Sequence, residues 1–380
     1  MGWASPARAP GGVRARRSAA ACLAALMMSG VIGSVAPGAA SAADTWTSRR
    51  VPVGHSRSHA PSPIASQDPH LSAAPTAGPS SPSVMIQLST LSAVATPADL
   101  RAWMQRICPS GVVPAGQLAL QDVATGDGTL LTDYLDVLAP YLPGVAAHPC
   151  FARVYVGTLE PVWSRPGTPY VDGVQNPAFV ADYVSRSSAV AAAFAKRYSR
   201  VTIDWYITYE ANLNDLYYPQ VAAAYQNLLS GELKSFAAVR RNRHVMWSPA
   251  FWYPYSGYHT NTLGMAGLTT SLTTLFSALS TIGRGIDVVD LQDYVAGSSC
   301  QPSWNQVTPS DAVGWVAFLR GLGVIPEVDV NTEQYAVDCP TGGIVNGDPT
   351  EVLAREAFYR SRGLTLGPAF ELRYWVHNHL

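Results

Sequence analysis

The sequence predicts an α/β protein whose ordered part is a (β/α)8 barrel, and three observations carry this prediction. Short apolar runs of β type recur eight times from residue 84 onward and alternate with helical stretches. Capping signals mark where several of those helices begin. No G-x-G-x-x-G motif follows the first run, which disfavours the main alternative, a doubly wound open sheet. Eight β–α steps in about 300 residues are typical of a closed parallel barrel.

The predicted strands follow one another at intervals of about 30 to 50 residues, which leaves room for a helix in each step. They are Met85–Leu88, Gln117–Val123, Ala152–Gly157, Val201–Tyr209, His244–Ser248, Ile286–Gln292, Val324–Asn331 and Phe370–Trp375. Because only a few residues follow the eighth run, we expect the last barrel helix to be missing or incomplete.

Helix starts are written into the sequence as cap motifs. Thr96-Pro97-Ala98-Asp99 combines an N-cap, a proline at the first helical position and an acidic residue in the first turn. Thr308-Pro309-Ser310-Asp311 repeats this pattern. Asp348-Pro349-Thr350-Glu351 comes close to it, and Asn176-Pro177 supplies its first half. These motifs predict helices that begin at residues 97, 177, 309 and 349.

The first 42 residues predict a secretory signal peptide. Three arginines between positions 14 and 17 precede an apolar run from about Ala19 to Val35, and Ala40-Ser41-Ala42 offers a cleavage site. An uncleaved membrane anchor is the alternative, because the run is long for a signal. We expect a secreted protein, extracellular or associated with the cell wall, with no stable membrane insertion after cleavage. The excess of Ala, and of Arg over Lys, suggests a GC-rich bacterium.

Residues 43–83 predict a flexible linker, since Ala, Ser and Pro dominate them. The catalytic barrel domain is expected over residues 84–380, which contain no second linker. Residues 1–42 hold four arginines and no acidic residue, so the remainder carries 21 basic and 26 acidic residues. A nucleic-acid-binding protein usually has a basic surplus, and we therefore expect no nucleic-acid partner.

Four cysteines remain after the predicted signal, and an even count in an exported chain favours disulfides over a zinc site. Cys108 and Cys150 each precede a predicted strand, at the N-terminal face of the barrel. Cys300 and Cys339 follow the sixth and seventh strands, at the C-terminal face. Of the three possible connectivities, Cys108–Cys150 and Cys300–Cys339 join neighbouring steps on one face.

The fourth predicted strand ends on a carboxylate that should point into the barrel mouth. Side chains alternate along a strand, so Trp205, Ile207 and Tyr209 share one face, which should meet the helices. Glu210 lies on the opposite face at the C-terminal end. Active sites of such barrels are built at this end.

The seventh predicted strand ends in the same way. Its valines face the helices, while Glu327, Asp329 and Glu333 face inward. For Glu327 and Asp329 we favour a structural role, such as a pair with Arg373. Glu333 is the last inward residue and, with Glu210, forms a carboxylate pair across the mouth. Such a pair can hydrolyse a glycosidic bond, since one carboxyl protonates the leaving oxygen while the other attacks carbon or activates water.

Further residues at strand ends are candidates for sugar binding. The second and sixth strands carry the echoing segments Leu120-Gln121-Asp122-Val123 and Leu291-Gln292-Asp293-Tyr294, whose polar groups can bind hydroxyls. Aromatic side chains after the strands can stack on sugar rings. The candidates are Gln87, Asp122, Gln292, Asp293, Trp252, Tyr253 and Tyr294, with further aromatics at Trp163, Tyr255, Tyr258 and Trp304. Trp205 and Trp247 are expected to be packing residues.

Four motifs carry a family resemblance because of their order and strand positions. They are Met85-Ile86-Gln87, Trp205-Tyr206-Ile207-Thr208-Tyr209-Glu210, Gln292-Asp293-Tyr294-Val295-Ala296-Gly297 and Asn331-Thr332-Glu333-Gln334-Tyr335. Together they resemble an uncharacterised family of TIM-barrel proteins proposed to be glycosyl hydrolases and catalogued as a domain of unknown function. The layout is also similar to the large retaining glycoside hydrolase clan, over about residues 84–380.

The resemblance implies roles for named residues. It makes Glu210 the acid/base and Glu333 the nucleophile. Tyr209, which precedes Glu210, is a further candidate for sugar binding. The chain departs from the clan at Tyr209, where the clan has an asparagine that binds the sugar 2-hydroxyl. Asn212 or Asn331 is the candidate substitute for that asparagine.

The first functional hypothesis is therefore a secreted glycoside hydrolase that acts on a polysaccharide or oligosaccharide. The alternative is a secreted, lectin-like barrel that binds carbohydrate without cleaving it. A barrel enzyme with other chemistry, such as a lyase, is a third possibility. The sequence contains no H-E-x-x-H, P-loop, G-x-S-x-G or EF-hand motif, and no cofactor or metal is predicted.

Overall fold

The chain folds as a parallel barrel in the computed structural model, which describes residues 81–159, 170–255, 257 and 262–380. The strands are β1 (Val84–Gln87), β2 (Gln117–Asp122), β3 (Arg153–Val156), β4 (Asp204–Ile207), β5 (Val245–Trp247), β6 (Val288–Gln292), β7 (Glu327–Asn331), β8 (Tyr335–Asp338), β9 (Gly343–Asn346) and β10 (Ala369–Phe370). The helices are α1 (Leu88–Val94), α2 (Pro97–Ile107), α3 (Thr132–Leu138), α4 (Tyr170–Gln175), α5 (Pro177–Arg197), α6 (Pro219–Val239), α7 (Thr262–Leu279), α8 (Pro309–Gly321), α9 (Pro349–Ser361) and α10 (Leu372–His379).

Eight of the strands form one parallel sheet, in the order β10, β1, β2, β3, β4, β5, β6, β7. The segment leading into β10 closes this sheet against β7. The N–H of Val330 donates to the carbonyl of Thr365, and the N–H of Gly367 donates to the carbonyl of Val330, each at 3.0 Å. Strands β8 and β9 form a separate antiparallel hairpin directly after β7. The predicted (β/α)8 fold class is confirmed.

Alternation along the strands separates an outer core from an inner one, as predicted. Trp205, Ile207 and Tyr209 pack in the large outer core between sheet and helices, where Trp205 stacks on Phe236 with ring centroids 4.7 Å apart. Tyr206 points the opposite way and packs inside the barrel. Its neighbours there are Met85, Ala119, Tyr155, Met246 and Val288.

All four predicted caps are present. The side chains of Thr96 and Thr308 accept from the backbone N–H groups of Asp99 and Asp311, and each aspartate accepts from its threonine's backbone N–H in return. Asn176 accepts from two backbone N–H groups at the start of α5. Asp348 accepts from the N–H of Thr350 at the start of α9.

The predicted eighth strand is wrong beyond its first residue. Only Ala369 and Phe370 pair with β1, and residues 372–379 form the helix α10. Leu372 and Val376, four residues apart, are both buried, so the apolar spacing in this segment is helical. The barrel therefore does have a last helix, although it is only 8 residues long.

Both predicted disulfides are formed, between Cys108 and Cys150 and between Cys300 and Cys339. They close loops of similar size, with sequence separations of 42 and 39 residues. The first lies before β2 and β3 at the N-terminal face. The second joins the segment after β6 to the hairpin after β7, at the C-terminal face.

The chain is ordered against the barrel slightly before the predicted domain boundary. The hydroxyl of Ser81 accepts from the backbone N–H groups of Ala115 and Gly116, at 3.0 and 2.9 Å. The predicted signal, residues 1–42, and almost all of the predicted linker, residues 43–83, lie outside the described residues. Within the described ranges, none of the helices is long and apolar enough to cross a membrane.

The inward acids of β7 take partners other than the expected Arg373. Glu327 lies 3.5 Å from Arg153, and Arg373 pairs instead with Glu371 at 2.8 Å. Asp329 stands beside Asp290 of β6 in the barrel interior, and each is at most 1% exposed. Burial raises the pKa of Asp329 to about 7, and the charge of Glu327 adds to the shift. A structural role for both acids fits these positions.

We predict that Asp329 makes the fold less stable as the pH rises. Its pKa is near 4 in an unfolded chain and about 7 in the fold, so folding holds a proton between these pH values. The free energy of unfolding should therefore fall across this window. In Asp329→Asn that fall should be smaller by up to roughly 4 kcal/mol, since each pKa unit corresponds to about 1.4 kcal/mol. Urea unfolding from pH 4 to 7.5 measures both slopes, and equal slopes would contradict the prediction.

Candidate active site

Glu333 lies two residues beyond the end of β7 and is held at both carboxylate oxygens. Its Oε2 accepts from the backbone N–H of Gly297 at 2.9 Å, and its Oε1 accepts from the hydroxyl of Tyr335 at 2.7 Å. Only 3% of the residue is exposed. Burial and the charge of Asp293 raise the pKa of Glu333 to about 7, against the lowering effect of these donors.

A buried polar network fixes the backbone of Glu333. Its N–H donates to Asp293 Oδ1 at 3.3 Å, and its carbonyl accepts from the guanidinium of Arg355 on α9. Arg355 also pairs with Asp293, at 3.2 Å, and Tyr359 donates its hydroxyl to the same carboxylate at 3.0 Å. Hydrogen bonds and an ion pair thus link the segment after β7 to the segment after β6 and to α9.

Glu210 lies three residues beyond the end of β4, on the predicted inward face. Three side chains pin the backbone that leads to it. Thr208 donates to the carbonyl of Gln121 at 2.7 Å, and Trp247 donates to the carbonyl of Tyr209 at 2.9 Å. Tyr225 donates to the carbonyl of Glu210 at 3.2 Å. The carboxylate is therefore presented from a rigid strand end.

The carboxylate of Glu210 receives two amide donors. Gln121 Nε2 donates to its Oε1 at 2.6 Å, and the side chain of Gln292 is a second donor. Burial raises the pKa of Glu210 to about 7, and the negative charge of Glu333 raises it as well. The two predicted carboxylates therefore act on one another electrostatically. The similar segments of the second and sixth strands thus each contribute a glutamine, Gln121 and Gln292, that faces Glu210.

Aromatic rings surround Glu333. Tyr294 lies against Gly297, where an added β-carbon would be 2.6 Å from the tyrosine ring and 3.4 Å from Glu333 Oε1. Only glycine allows this approach of ring, backbone and carboxylate. Phe370 packs edge-to-face on Tyr335, with ring centroids 6.1 Å apart. Trp252 stacks on Tyr294 at 6.4 Å and is 37% exposed, which extends the aromatic wall outward.

Four of the residues expected to bind sugar are buried and committed to protein partners. Asp122 is fully buried and accepts from both the N–H and the hydroxyl of Ser89. Asp293 supports Glu333, as described above. Asn331 is fully buried, and its side chain accepts from the N–H of Phe370 at 3.0 Å. Asn212 accepts from the N–H of Asn214 at 3.1 Å and is 4% exposed.

Tyr209 does not lie in the mouth. Its ring packs in the outer core among Phe179, Tyr183 and Tyr225, and the residue is 1% exposed. Strand parity is the physical reason, since Tyr209 follows the outward-facing Ile207 by two positions. The expectation that Tyr209 touches sugar is therefore not met.

The remaining predicted residues divide between the mouth and other places. Gln87 ends β1 and is buried at 6% exposure. Gln292 ends β6, while Trp252, Tyr253 and Tyr294 follow β5 or β6. All four keep exposed surface. The wider aromatic set has mixed outcomes: Trp205 and Trp247 are core as expected, Tyr255 packs on Trp315, and Trp163 and Tyr258 lie outside the described residues.

Four residues around Glu333 were not predicted from the sequence to have a role, and they are Tyr335, Gly297, Arg355 and Tyr359. Tyr335 and Gly297 each lie in one of the four motifs that carry the family resemblance, so those motifs could have indicated that both residues are near Glu333. Arg355 and Tyr359 lie on α9, 22 and 26 residues after Glu333, and nothing in their local pattern marks them. Near neutral pH, Glu210 and Glu333 together can hold a proton on one carboxyl group and a negative charge on the other.

Comparison with solved structures gives a likeness to glycoside hydrolases. A proposed alpha-L-fucosidase from Bacteroides thetaiotaomicron matches with a TM-score of 0.52 and 11% identity, over 81% of this chain and 91% of that one. An intracellular xylanase from Thermoanaerobacterium saccharolyticum gives 0.43 and 12%, over 77% and 85%. A family 1 glycoside hydrolase from Thermotoga maritima gives 0.40 and 14%, over 72% and 76%.

The first of these likenesses shows a shared fold. At 11% identity it shows the barrel and no more. No protein-family model and no curated protein sequence matches the chain. The roles of the site residues therefore depend on the geometry described above.

We predict that Tyr335→Phe raises the pKa of Glu333 by about one to two units. The hydroxyl donates to the charged form, and a hydrogen bond to a charged group contributes about 1.5–3 kcal/mol. Carbon-13 labelling of glutamate carboxyls allows the titration to be followed by NMR, with Glu333→Gln identifying the signal. An unchanged pKa would show that this bond is not made in solution.

We predict that the Cys300–Cys339 disulfide helps to hold both donors on Glu333. Cys300 is three residues after Gly297, and Cys339 is four residues after Tyr335. The double variant Cys300→Ser/Cys339→Ser should raise the Glu333 pKa in the same NMR titration. Cys108→Ser/Cys150→Ser removes the disulfide at the opposite face, which closes a loop of nearly equal length. The loss in free energy of unfolding should therefore be similar. This second double variant is the matched control and should leave that pKa in place; an equal shift in both variants would refute the prediction.

Proposed function

We propose that this chain is an exported glycoside hydrolase that cleaves a polysaccharide with two carboxylates. Glu210 serves as acid/base, and Glu333 serves as nucleophile or, in an inverting variant, as the base for water. One observation carries the proposal. Two glutamates at the C-terminal ends of β4 and β7 each have a pKa raised to about 7, and the charge of one raises the pKa of the other. Paired carboxylates with separated roles are what glycosidic cleavage requires.

The charge of Glu333 supports a division of labour between the two, since it raises the pKa of Glu210. Glu333 receives the Gly297 N–H and the Tyr335 hydroxyl, which stabilise its charged form. Once Glu333 is ionised, its charge keeps the proton on Glu210. Glu210 then gives this proton to the glycosidic oxygen as the C–O bond breaks. Glu333 bonds to the anomeric carbon, and Glu210 later takes a proton from the water that releases the sugar.

Gln292 is proposed as the polar contact to the sugar beside the cleaved bond. The two asparagines considered for a 2-hydroxyl contact are buried and bonded to protein groups. The side chain of Gln292 also has protein partners, the carbonyl of Ser248 at 2.9 Å and Glu210, but unlike the asparagines it keeps exposed surface. Gln292 is the last residue of β6, so it lies at the C-terminal end of the barrel strands, where the mouth is.

Export is proposed from the N-terminal signal pattern together with the two disulfides. The retaining course is proposed from the layout, with the acid/base after the fourth barrel strand and the nucleophile after the seventh. A polysaccharide is the proposed substrate because exposed Trp252 and Tyr253 stand beside the mouth.

We predict that Glu210→Gln and Glu333→Gln each lower kcat/KM by about 10²- to 10⁴-fold, since each removes one step of proton transfer or attack. The assay is release of reducing ends from a panel of plant and bacterial cell-wall polysaccharides. Glu232→Gln is the matched control. Glu232 is also fully buried, with a pKa raised to about 8, but it lies on α6 and bonds to Ser187. It should keep full activity.

The pH profile of kcat/KM should be bell-shaped around neutrality, with both limbs set by the coupled pair. Full activity in either active-site variant would remove that residue from the mechanism. Binding of a polysaccharide without any cleavage by the wild-type protein would favour a lectin-like barrel. New ultraviolet-absorbing products would instead indicate a lyase.

A further inference from the structure

Exposed aromatic side chains are confined to one arc of one face of the barrel. Among the residues whose exposure is described, the five most exposed aromatic side chains are all tyrosine or tryptophan. They are Tyr217 (37%), Tyr218 (52%), Trp252 (37%), Tyr253 (42%) and Trp304 (76%). All five follow β4, β5 or β6, which are neighbours in the barrel. A random scatter of surface aromatics would have placed some on the helices or at the opposite face.

Hydrogen bonds link the segment after β4 to the segment after β5. The N–H of Leu213 donates to the carbonyl of Ala250 at 2.9 Å, and the N–H of Trp252 donates to Asn214 Oδ1 at 3.2 Å. Tyr217 packs closely against α7, where a β-carbon on Gly267 would meet its ring at 2.4 Å. These contacts hold together the two segments that carry Tyr217, Tyr218, Trp252 and Tyr253.

The segment after β5 is also fixed to α8 and to the segment after β6. Phe251 stacks on Trp315 with ring centroids 3.8 Å apart, and Trp315 donates its indole N–H to the carbonyl of Tyr253 at 3.0 Å. Trp252 stacks on Tyr294, which lies beside Glu333. The exposed aromatic residues after β5 therefore lie next to the candidate active site.

Trp304 stands at the far end of the segment after β6, which is itself well anchored. Gln306 donates its amide to the carbonyls of Ser299 and Gln301, at 3.1 and 2.9 Å. The disulfide of Cys300 ties the same segment to the hairpin after β7. Trp304 is 76% exposed, so most of its side chain is available to a ligand.

We propose that these five aromatics form an extended binding track for a polysaccharide chain that runs outward from the two glutamates over β4, β5 and β6. Flat rings stack on the C–H faces of successive sugars, and tyrosine hydroxyls add hydrogen bonds. The track makes the substrate a polymer, bound well beyond the bond that is cleaved. This inference rests on the proposed function and deepens it.

The test uses affinity electrophoresis of the mature protein in gels that contain a soluble β-glucan, a xylan, a glycol chitin or a galactomannan. Every sample carries Glu333→Gln, so that binding is measured without turnover. The parent should be retarded by at least one polymer. Tyr218→Ala/Trp304→Ala, which alters both ends of the track, should raise Kd for that polymer by about tenfold, since an aromatic contact contributes roughly 0.5–1.5 kcal/mol. Leu353→Ala, an exposed apolar residue on α9, is the matched control and should bind as the parent does.

Equal retardation of the track variant and the parent would overturn the proposal, and so would no retardation by any polymer. Thermal midpoints check that the variants are folded, and the single variants Tyr218→Ala and Trp304→Ala provide the test if the double variant is not. Failure of the proposed function gives a different result. In that case the wild-type chain releases no reducing ends, while the parent is still retarded and the track variant is not.

Discussion

Burial of negative charge at the end of β7 is the constraint around which the mouth of the barrel is organised. An ionised carboxylate that is 3% exposed loses most of its hydration, a cost it can offset only with donors and opposite charge. Glu333 receives one backbone N–H and one hydroxyl, while Arg355 neutralises its neighbour Asp293. These donors come from three different segments. Holding one carboxylate therefore requires the loop after β6, the hairpin after β7 and α9 to be in register.

The same constraint explains why the two glutamates share a narrow range of pKa. Burial raises the pKa of each glutamate and its hydrogen-bond donors lower it. The charge of Glu333 also raises the pKa of Glu210. Near neutral pH the pair favours a single proton, since the charge of Glu333 raises the pKa of Glu210. General acid–base chemistry works best with groups poised in this way. The segments that position the pair also carry the exposed aromatic rings, so the proposed catalytic pair and the proposed binding track share one structural support.

The sequence predicted the parts of this structure that depend on local pattern. Strand parity placed Glu210 and Glu333 in the mouth, and the position of cysteines relative to strands gave both disulfides. The failures have physical causes. The segment after Phe370 was assigned to a strand from its apolar content, although Leu372 and Val376 are spaced as in a helix. Arg355 reaches Glu333 only through the fold, and no pattern along the chain encodes that contact.

The most direct test of the central claim is to trap a covalent glycosyl-enzyme. The mature protein would be incubated with a panel of activated 2-deoxy-2-fluoro glycosides, digested and mapped by mass spectrometry. Our account predicts one added fluorosugar, carried by the peptide that contains Glu333 and absent from the Glu333→Gln protein. A label on another residue, or turnover of natural substrate with no trapped intermediate from any reagent, would contradict the assignment of Glu333 as nucleophile.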